Sequence, residues 1–298
     1  MIHICIFSYN RGAFLQNCIN SVLQYAPQCR LSVFDDNSND EATKQVLAAL
    51  PATINLYQPD THSSQRHGGL YANMQWALDV AAQGEYLLFI QDDMQLVRPL
   101  RDEDNQYITQ YFDTFTQAAF LNPVFLKGQR TSRDKRITQL SAEFPVYFRH
   151  YPTKKHPRGL SYADVVIAHV DRLRQYSWQF SDSEVTNAVQ AQQQFGAMGF
   201  MLHPFVMFLP QVPVYRGKRK SYAVTLAQRW SGEQPKSFLP LNQTQLQQLL
   251  QRNPEVLPVA EQFLHCIDPK VKRPFQYSAV NAYPLLRVLH KIEQWLKR

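Results

Sequence analysis

The sequence predicts an α/β protein built on a mostly parallel sheet with helices on its faces. Short apolar runs alternate with segments of helical period through about the first third of the chain. The runs are continuous in their apolar character, as in strands buried on both faces. Three of them pass directly into polar clusters, and in a parallel sheet all such ends lie on one edge, where open α/β sheets bind ligands.

Ile2-His3-Ile4-Cys5-Ile6-Phe7 is the first strand, and Ser8-Tyr9-Asn10-Arg11-Gly12 is its polar exit. Phe14, Leu15, Cys18, Ile19, Val22 and Leu23 recur at helical spacing, which predicts a helix over about 13–25, ended by Pro27. Residues 31–34 form a second strand, closed by Asp35-Asp36-Asn37-Ser38. Ser38 with Glu41 reads as a capping box for the next helix, whose apolar side is Val46, Leu47 and Leu50. Residues 54–57 are a third strand. A polar loop over 65–69 leads to Leu70, Met74, Ala77, Leu78 and Ala81, the buried stripe of a helix closed near Gly84. The fourth strand, residues 86–90, runs straight into Gln91, Asp92 and Asp93. This order implies right-handed βαβ units.

Composition is that of an ordinary globular protein: 298 residues, 45% hydrophobic and 18% charged, with ample length for a large core. The net charge of +7 suggests an anionic partner, such as a nucleotide, nucleic acid or membrane surface. No basic-aromatic module accompanies that charge, so nucleic acid is not expected. Cys5, Cys18, Cys29 and Cys266 show no metal-ligand spacing and read as free thiols in a reducing compartment. The chain opens on a strand, so no signal peptide is expected. The most apolar stretch, 199–215, holds His203, Pro204, Pro210 and Pro213 and makes a poor membrane span.

Buried strands do not ordinarily end on two carboxylates, because each must be solvated, paired or bound to a cation. Asp92 and Asp93 therefore read as a divalent cation site shared with substrate phosphate. A solvated strand-to-loop turn is the alternative. No Gly-x-Gly-x-x-Gly follows the first strand and no Gly-Lys-Ser/Thr loop is present, which argues against dinucleotide-binding and phosphate-loop proteins. Three polar strand ends on one edge, 8–11, 35–38 and 91–93, favour the ligand-site reading.

Ser8-Tyr9-Asn10-Arg11, then Cys18–Leu23, then Val33-Phe34-Asp35-Asp36-Asn37-Ser38, then Asn73 and Ala77-Leu78, then Gly84-Glu85-Tyr86, and finally Gln91-Asp92-Asp93 resemble the blocks of a family 2 glycosyltransferase. The resemblance covers about the first hundred residues well and the second hundred loosely. It implies a GT-A fold, a nucleotide-diphosphate sugar donor, a Mn2+ or Mg2+ ion and inversion at the anomeric carbon. By the same resemblance Asp36 recognises the base, with Asp35 beside it. A carboxylate can accept the imide N–H of uracil, which suits a UDP-sugar. Favourable charge at a helix N-terminus is the alternative role for this pair. Asp93 matches the metal ligand and Asp92 the residue near ribose or metal. Phe7, Ser8, Tyr9 and Arg11 would line the nucleoside, and Arg66, His67 and Asn73 sit where donor contacts fall. The motif here is Gln91-Asp92-Asp93 rather than Asp-x-Asp.

In the second half, residues 122–125, 144–151 and 165–168 read as further strands. Arg130, Arg133, Lys135, Arg136, Arg149, Lys154, Lys155 and Arg158 read as exposed basic loops. A short helix over 171–176 is followed by one starting near Ser183, with Glu184 in its first turn and Gly196 and Gly199 at its end. This segment resembles the one in which an acid at a helix start serves as general base, which makes Glu184 the first candidate and Asp182 the second. The alternative is a plain helix-start carboxylate. Lys218 and Arg219, within the basic stretch after Tyr215, are candidates to cover the diphosphate. Residues from Asn242 form a helix with Leu246, Leu249 and Leu250, and the last helix, about 283–297, is amphipathic and basic.

The expected architecture is thus a GT-A catalytic domain over 1–215, with 1–99 as the Rossmann-like nucleotide-sugar half and 100–215 as the acceptor half. Residues 216–298 form a basic loop and a helical C-terminal extension. The expected function is inverting glycosyl transfer from a UDP-sugar to a glycan or glycolipid acceptor in surface polysaccharide or glycolipid synthesis. The expected location is cytoplasmic, with the last helix free to meet the inner face of a membrane or a second copy. An inactive GT-A-like binding module and a nucleotidyltransferase are the competing readings.

Overall fold

The structure, a computed structural model, describes residues 2–59, 69–150, 160–213 and 220–296. The chain opens as predicted: β1 (Ile2–Ser8), α1 (Gly12–Tyr25), β2 (Arg30–Asp35), α2 (Glu41–Ala48), β3 (Asn55–Tyr57), α3 (Leu70–Asp79) and β4 (Tyr86–Gln91). Each strand pairs in parallel with its neighbour in the order β3-β2-β1-β4. Period-two alternation divides the strands between two cores. Ile4 and Ile6 with Leu88 and Ile90 face one side, where Leu15, Ile19 and Val22 of α1 cover them. Cys5, Phe7, Leu87 and Phe89 face the other, against Met74, Ala77 and Leu78 of α3. Helices on both faces are why these strands read as unbroken apolar runs.

Beyond β4 come β5 (Met94–Leu96), α4 (Asp102–Thr114), β6 (Phe120–Asn122), α5 (Thr131–Ile137), β7 (Thr138–Leu140), β8 (Val146–Arg149), β9 (Ile167–His169), α6 (Val170–Gln175), α7 (Glu184–Phe195), β10 (Gly199–Met201) and β11 (Val206–Phe208). The sheet continues as β4-β9-β6-β10-β8-β7, with β9 and β8 antiparallel to their neighbours and β6 parallel to β10. This is the predicted sheet flanked by helices, parallel through β3-β2-β1-β4 and mixed beyond it. The segment after Met201 does not stay in the main sheet: β11 pairs with β5 in a separate two-stranded sheet.

The remaining helices are α8 (Tyr222–Ser231), α9 (Gln243–Leu250), α10 (Ala260–Phe263), α11 (Ala279–Ala282) and α12 (Pro284–Leu296). Phe238, Leu249, Phe263 and Phe275 enter the α1-side core, so this part of the chain shares its packing with the sheet. Isolated bridges, Leu126 to Val259 and Val212 to Ser278, add backbone ties. Only α8, α11 and α12 pack as a small cluster of their own.

Two local expectations are corrected. α2 is capped by Asp40, whose side chain accepts from Thr43 N, because Ser38 is occupied at the strand ends. Arg149 is not an exposed loop cation: it ends β8 and is buried beside Asp134.

Arg98 is the largest charged side chain buried completely. Its Nη1 and Nη2 donate to the two carboxylate oxygens of Asp104 at 2.7 and 2.9 Å, and its Nε donates to Pro204 O at 3.0 Å. It thereby ties the first turn of α4 to the turn between β10 and β11. Burial alone would raise Asp104, but Arg98 outweighs it and holds the carboxyl below its usual range. Arg98→Ala is expected to cost about 3–5 kcal/mol by stranding the buried carboxylate, whereas Arg98→Met with Asp104→Leu should lie much closer to the parent. Urea unfolding midpoints of the three proteins check this.

Candidate active site

The backbone carries two carboxylates to one sheet edge by extending the strand pairing past the strands themselves. Asp36 N donates to Ser8 O at 2.9 Å and Asp92 N donates to Phe7 O at 3.0 Å, so Asp36 and Asp92 flank the end of β1. The exits of β1 and β2 turn at Asn10 and Asn37, with φ of 49° and 55°, in the left-handed region that asparagine tolerates. Asn10 Nδ2 donates to Asn39 Oδ1 and Asn39 N donates to Asn10 Oδ1, both at 2.8 Å, which locks the two exits together.

Phe7, Ser8, Tyr9, Arg11, Asp36, Leu70, Asn73, Gln91 and Asp92 line a crevice at this edge. Asp36 Oδ2 accepts from Gly69 N at 2.8 Å, at the N-terminus of α3. A side chain at position 69 would collide with this carboxylate, so the close approach requires glycine. Ser8 Oγ is buried and makes no hydrogen bond among the described residues. Asp35 points elsewhere: its oxygens accept from Ser38 N, Ser38 Oγ and Gln58 Nε2, so it shapes the turn and does not line the crevice.

At the mouth, Arg11 Nη1 donates to Asp92 Oδ1 at 2.9 Å and to Asp93 Oδ2 at 3.2 Å. Tyr9 N donates to Asp92 Oδ2 at 3.3 Å. Burial pushes Asp92 up to about 7 despite Arg11, with Asp93 adding to the rise. Asp93 Oδ1 is buried and accepts no hydrogen bond among the described residues. The described residues hold no cluster of three metal-ligating side chains. Two adjacent carboxylates with an orphaned oxygen nevertheless suit a hard divalent cation completed by substrate phosphate, since such ions commonly take one or two carboxylates and keep the rest for phosphate and water.

Gln91 also lines a second, larger cleft of about 540 Å³, whose other lining residues all lie beyond residue 121. Glu184 lines it from the first turn of α7, where Ser183 caps the helix by accepting from Thr186 N. Asp182 does not line it. Asp164, just ahead of β9, does, and its carboxylate accepts from Tyr71 Oη at 3.2–3.3 Å. Burial and the neighbouring Glu184 push Asp164 up to about 7. Lys127 sits over the rings of Phe208 and Tyr277, at 4.0 and 4.4 Å, and burial and Arg130 bring it down to about 8.

Residues 3–101 match the family model described as glycosyl transferase family 2. The chain resembles the family 2 glycosyltransferases. Its sheet, mostly parallel on the side of β1 and flanked by helices, is the α/β architecture predicted from the sequence. Among solved structures, residues 1–349 of S. aureus TarS align at 15% identity over 70% of this chain and 60% of that one, with a TM-score of 0.49. The mannosyltransferase PcManGT from Pyrobaculum calidifontis, solved with GDP-Man and Mn2+, aligns at 14% identity over 76% and 60%, with a TM-score of 0.46. The galactosyltransferase LgtC, solved with donor and acceptor sugar analogues, aligns at 15% over 97% and 96%, with a TM-score of 0.39. This chain therefore spans about 60% of the length of TarS 1–349 and of PcManGT. A search of curated proteins finds no match.

The family match ends with the crevice-bearing third of the chain, and the geometry alone describes the cleft. The structure brings Phe7, Ser8, Tyr9, Arg11, Asp36, Asn73 and Asp92 together around the crevice, with Asp93 beside them on Arg11. Arg66, His67, Lys218 and Arg219 lie outside the described residues. Lys127 and Asp164 are cleft residues that the sequence reading passed over. Asp164 did carry a signal, a carboxylate placed directly before the apolar run at 165–168. Lys127 carried none.

The Asp164 carboxyl is expected to titrate near 7, and Glu184→Gln to lower that value by removing one of the two influences that raise it. Because the folded chain holds this proton more tightly than the unfolded one, the stability it contributes is full below about 3.8 and lost as pH rises through about 7. Carbon-detected NMR titration of the side-chain carboxyls in the two proteins checks both direction and position.

Proposed function

We propose that the protein transfers a sugar from a UDP-linked donor to an acceptor hydroxyl with inversion. The observation that carries this reading is the crevice lined by Asp36, Ser8 and Asp92, with Asp93 beside it on Arg11, sharing Gln91 with a cleft that Glu184 lines. The orphaned Ser8 hydroxyl and Asp93 oxygen are polar atoms whose burial costs free energy until a ligand pairs with them.

In this reading the base stands against Asp36, whose carboxylate accepts the imide N–H of uracil, and Phe7, Ser8 and Asn73 frame the nucleoside. Asp93, with Asp92, would hold Mn2+ or Mg2+. The ion would supply charge neutralisation at the diphosphate. Arg11 keeps the two carboxylates in place and offsets part of their charge. Glu184 accepts the proton of the acceptor hydroxyl as its oxygen bonds to the anomeric carbon and the bond to the diphosphate breaks. An uncharged Asp164 beside Glu184 would donate a hydrogen bond to the incoming sugar and spare the site a second full negative charge. The retained carboxylates favour an active transferase over an inactive module. The bare crevice, without a glycine-rich phosphate loop, weighs against a nucleotidyltransferase.

Release of UDP from a panel of UDP-sugars, with Mn2+ or with a chelator, tests the reading. Glu184→Gln is expected to lower turnover by about 10²–10⁴-fold with the donor constant little changed, since glutamine keeps the shape and loses the basicity. Asp36→Ala is expected to raise the donor constant more than it lowers the chemical rate. No UDP release from any donor, or a normal rate in Glu184→Gln, would contradict the assignment.

The acceptor side includes a membrane surface in this reading. One side of α12 docks on α8: His290 Nδ1 lies 2.9 Å from Ser221 Oγ, and Glu293 accepts from Tyr222 N and Ala223 N. The opposite stripe, Leu285, Val288, Ile292 and Trp295, faces solvent, with Leu285 84% and Trp295 74% exposed. Arg287 and Lys291 run beside it on the helix, and the chain carries +7. An apolar stripe flanked by cations matches an anionic bilayer interface. No helix among the described residues is long and apolar enough to cross a membrane. The protein is expected to sediment with phosphatidylglycerol vesicles and much less with phosphatidylcholine, and Ile292→Glu with Trp295→Glu should abolish the difference. A dimer in light scattering with no vesicle binding would assign the stripe to a second copy.

A further inference from the structure

The cleft beside Glu184 is lined by charges of both signs. Asp164 and Glu184 line it together with Gln91. Arg130, Arg133 and Arg149 line it too, with Arg133 and Arg149 meeting a single acid, Asp134. Asp134 Oδ1 accepts from Arg133 Nε at 3.1 Å and Nη2 at 2.8 Å, and Arg149 Nη2 lies 3.5 Å away. One carboxylate among three guanidinium groups leaves this set of side chains with net positive charge.

The platform is built into the fold. Arg149 is only 6% exposed and lies 4.2 Å above the ring of Phe200, and Asp134 is buried beneath it. Burying such a pair carries a desolvation cost that only close geometry and further hydrogen bonds repay. Arg130 is exposed, lines the cleft and forms no ion pair among the described residues. These arginines line the cleft and not the crevice, where Arg11, Asp92 and Asp93 would meet the donor's diphosphate.

We infer that the acceptor is anionic, and that Arg130 and Arg133, backed by Arg149, bind a phosphate or carboxylate group on it while its hydroxyl reaches Glu184. This deepens the glycosyl-transfer reading and rests on it. Guanidinium forks suit planar carboxylates and phosphate oxygens alike. The same arginines would do little for a neutral acceptor and would orient an anionic one, whose anion is repelled by Asp164 and Glu184 and drawn to the guanidinium groups.

The test is binding of three tetramers to the full chain by saturation-transfer NMR and calorimetry: maltotetraose, tetragalacturonate and a phosphodiester-linked glycerol tetramer. UDP with Mn2+ is titrated in the same samples. At least one anionic tetramer should bind ten-fold or more tightly than maltotetraose, and its binding should weaken with added salt. Arg130→Glu should remove that preference, and Arg133→Gln should reduce it, with unchanged circular dichroism melts as the control for folding. Which of the two anionic tetramers binds tells carboxylate from phosphodiester. Equal binding of all three, or an anion preference that survives Arg130→Glu, would overturn the inference. Loss of UDP binding with the anion preference intact would instead contradict the donor site and support the cleft assignment.

Discussion

The Arg11 guanidinium, shared between Asp92 and Asp93, is the interaction on which the site depends. Two neighbouring carboxylates at the end of a strand buried on both faces repel one another and lose hydration together. Arg11 meets each of them, yet burial still pushes Asp92 up to about 7. The pair is therefore under-compensated, and one Asp93 oxygen has no donor among the described residues. A site in that condition gains free energy from a cation. Much of the surrounding chain serves to keep it so: β1 supplies Arg11 through its exit turn, both acids directly follow β4, and the Asn10–Asn39 lock holds the β1 exit to that of β2.

The crevice was legible in the sequence because its parts are local. A strand, its exit and the helix after it are consecutive in the chain, and parallel pairing sends all such exits to one edge. The face of each residue within an exit was less legible. Asp35 and Asp36 are adjacent and chemically alike, and only the turn decides that Asp35 is spent on Ser38 and Gln58 while Asp36 meets Gly69. The capping of α2 was misread for the same reason, since Ser38 was already engaged with Asp35.

The cleft was far less legible. It is assembled from three- and four-residue strands whose pairing is non-local, with β9 inserted between β4 and β6 and β10 between β6 and β8. Short segments of this kind carry almost no periodicity. Arg149 reads as a surface cation by type and is buried only because β8 meets Asp134 and Phe200 across the sheet. Glu184 was singled out by the family resemblance of its segment, and the helix start that the resemblance requires is where the structure has it.

The central claim is that Asp93 and Asp92 form a cation site completed by nucleoside diphosphate. Titration of Mn2+ followed by electron paramagnetic resonance reads this directly, because bound Mn2+ loses the sharp signal of the free ion. The account predicts weak loss of signal with protein alone, strong loss when UDP is added, and recovery of the free-ion signal in Asp93→Asn at the same concentrations. Mn2+ binding that is indifferent to UDP, or a UDP-dependent loss of signal that persists undiminished in Asp93→Asn, would contradict it.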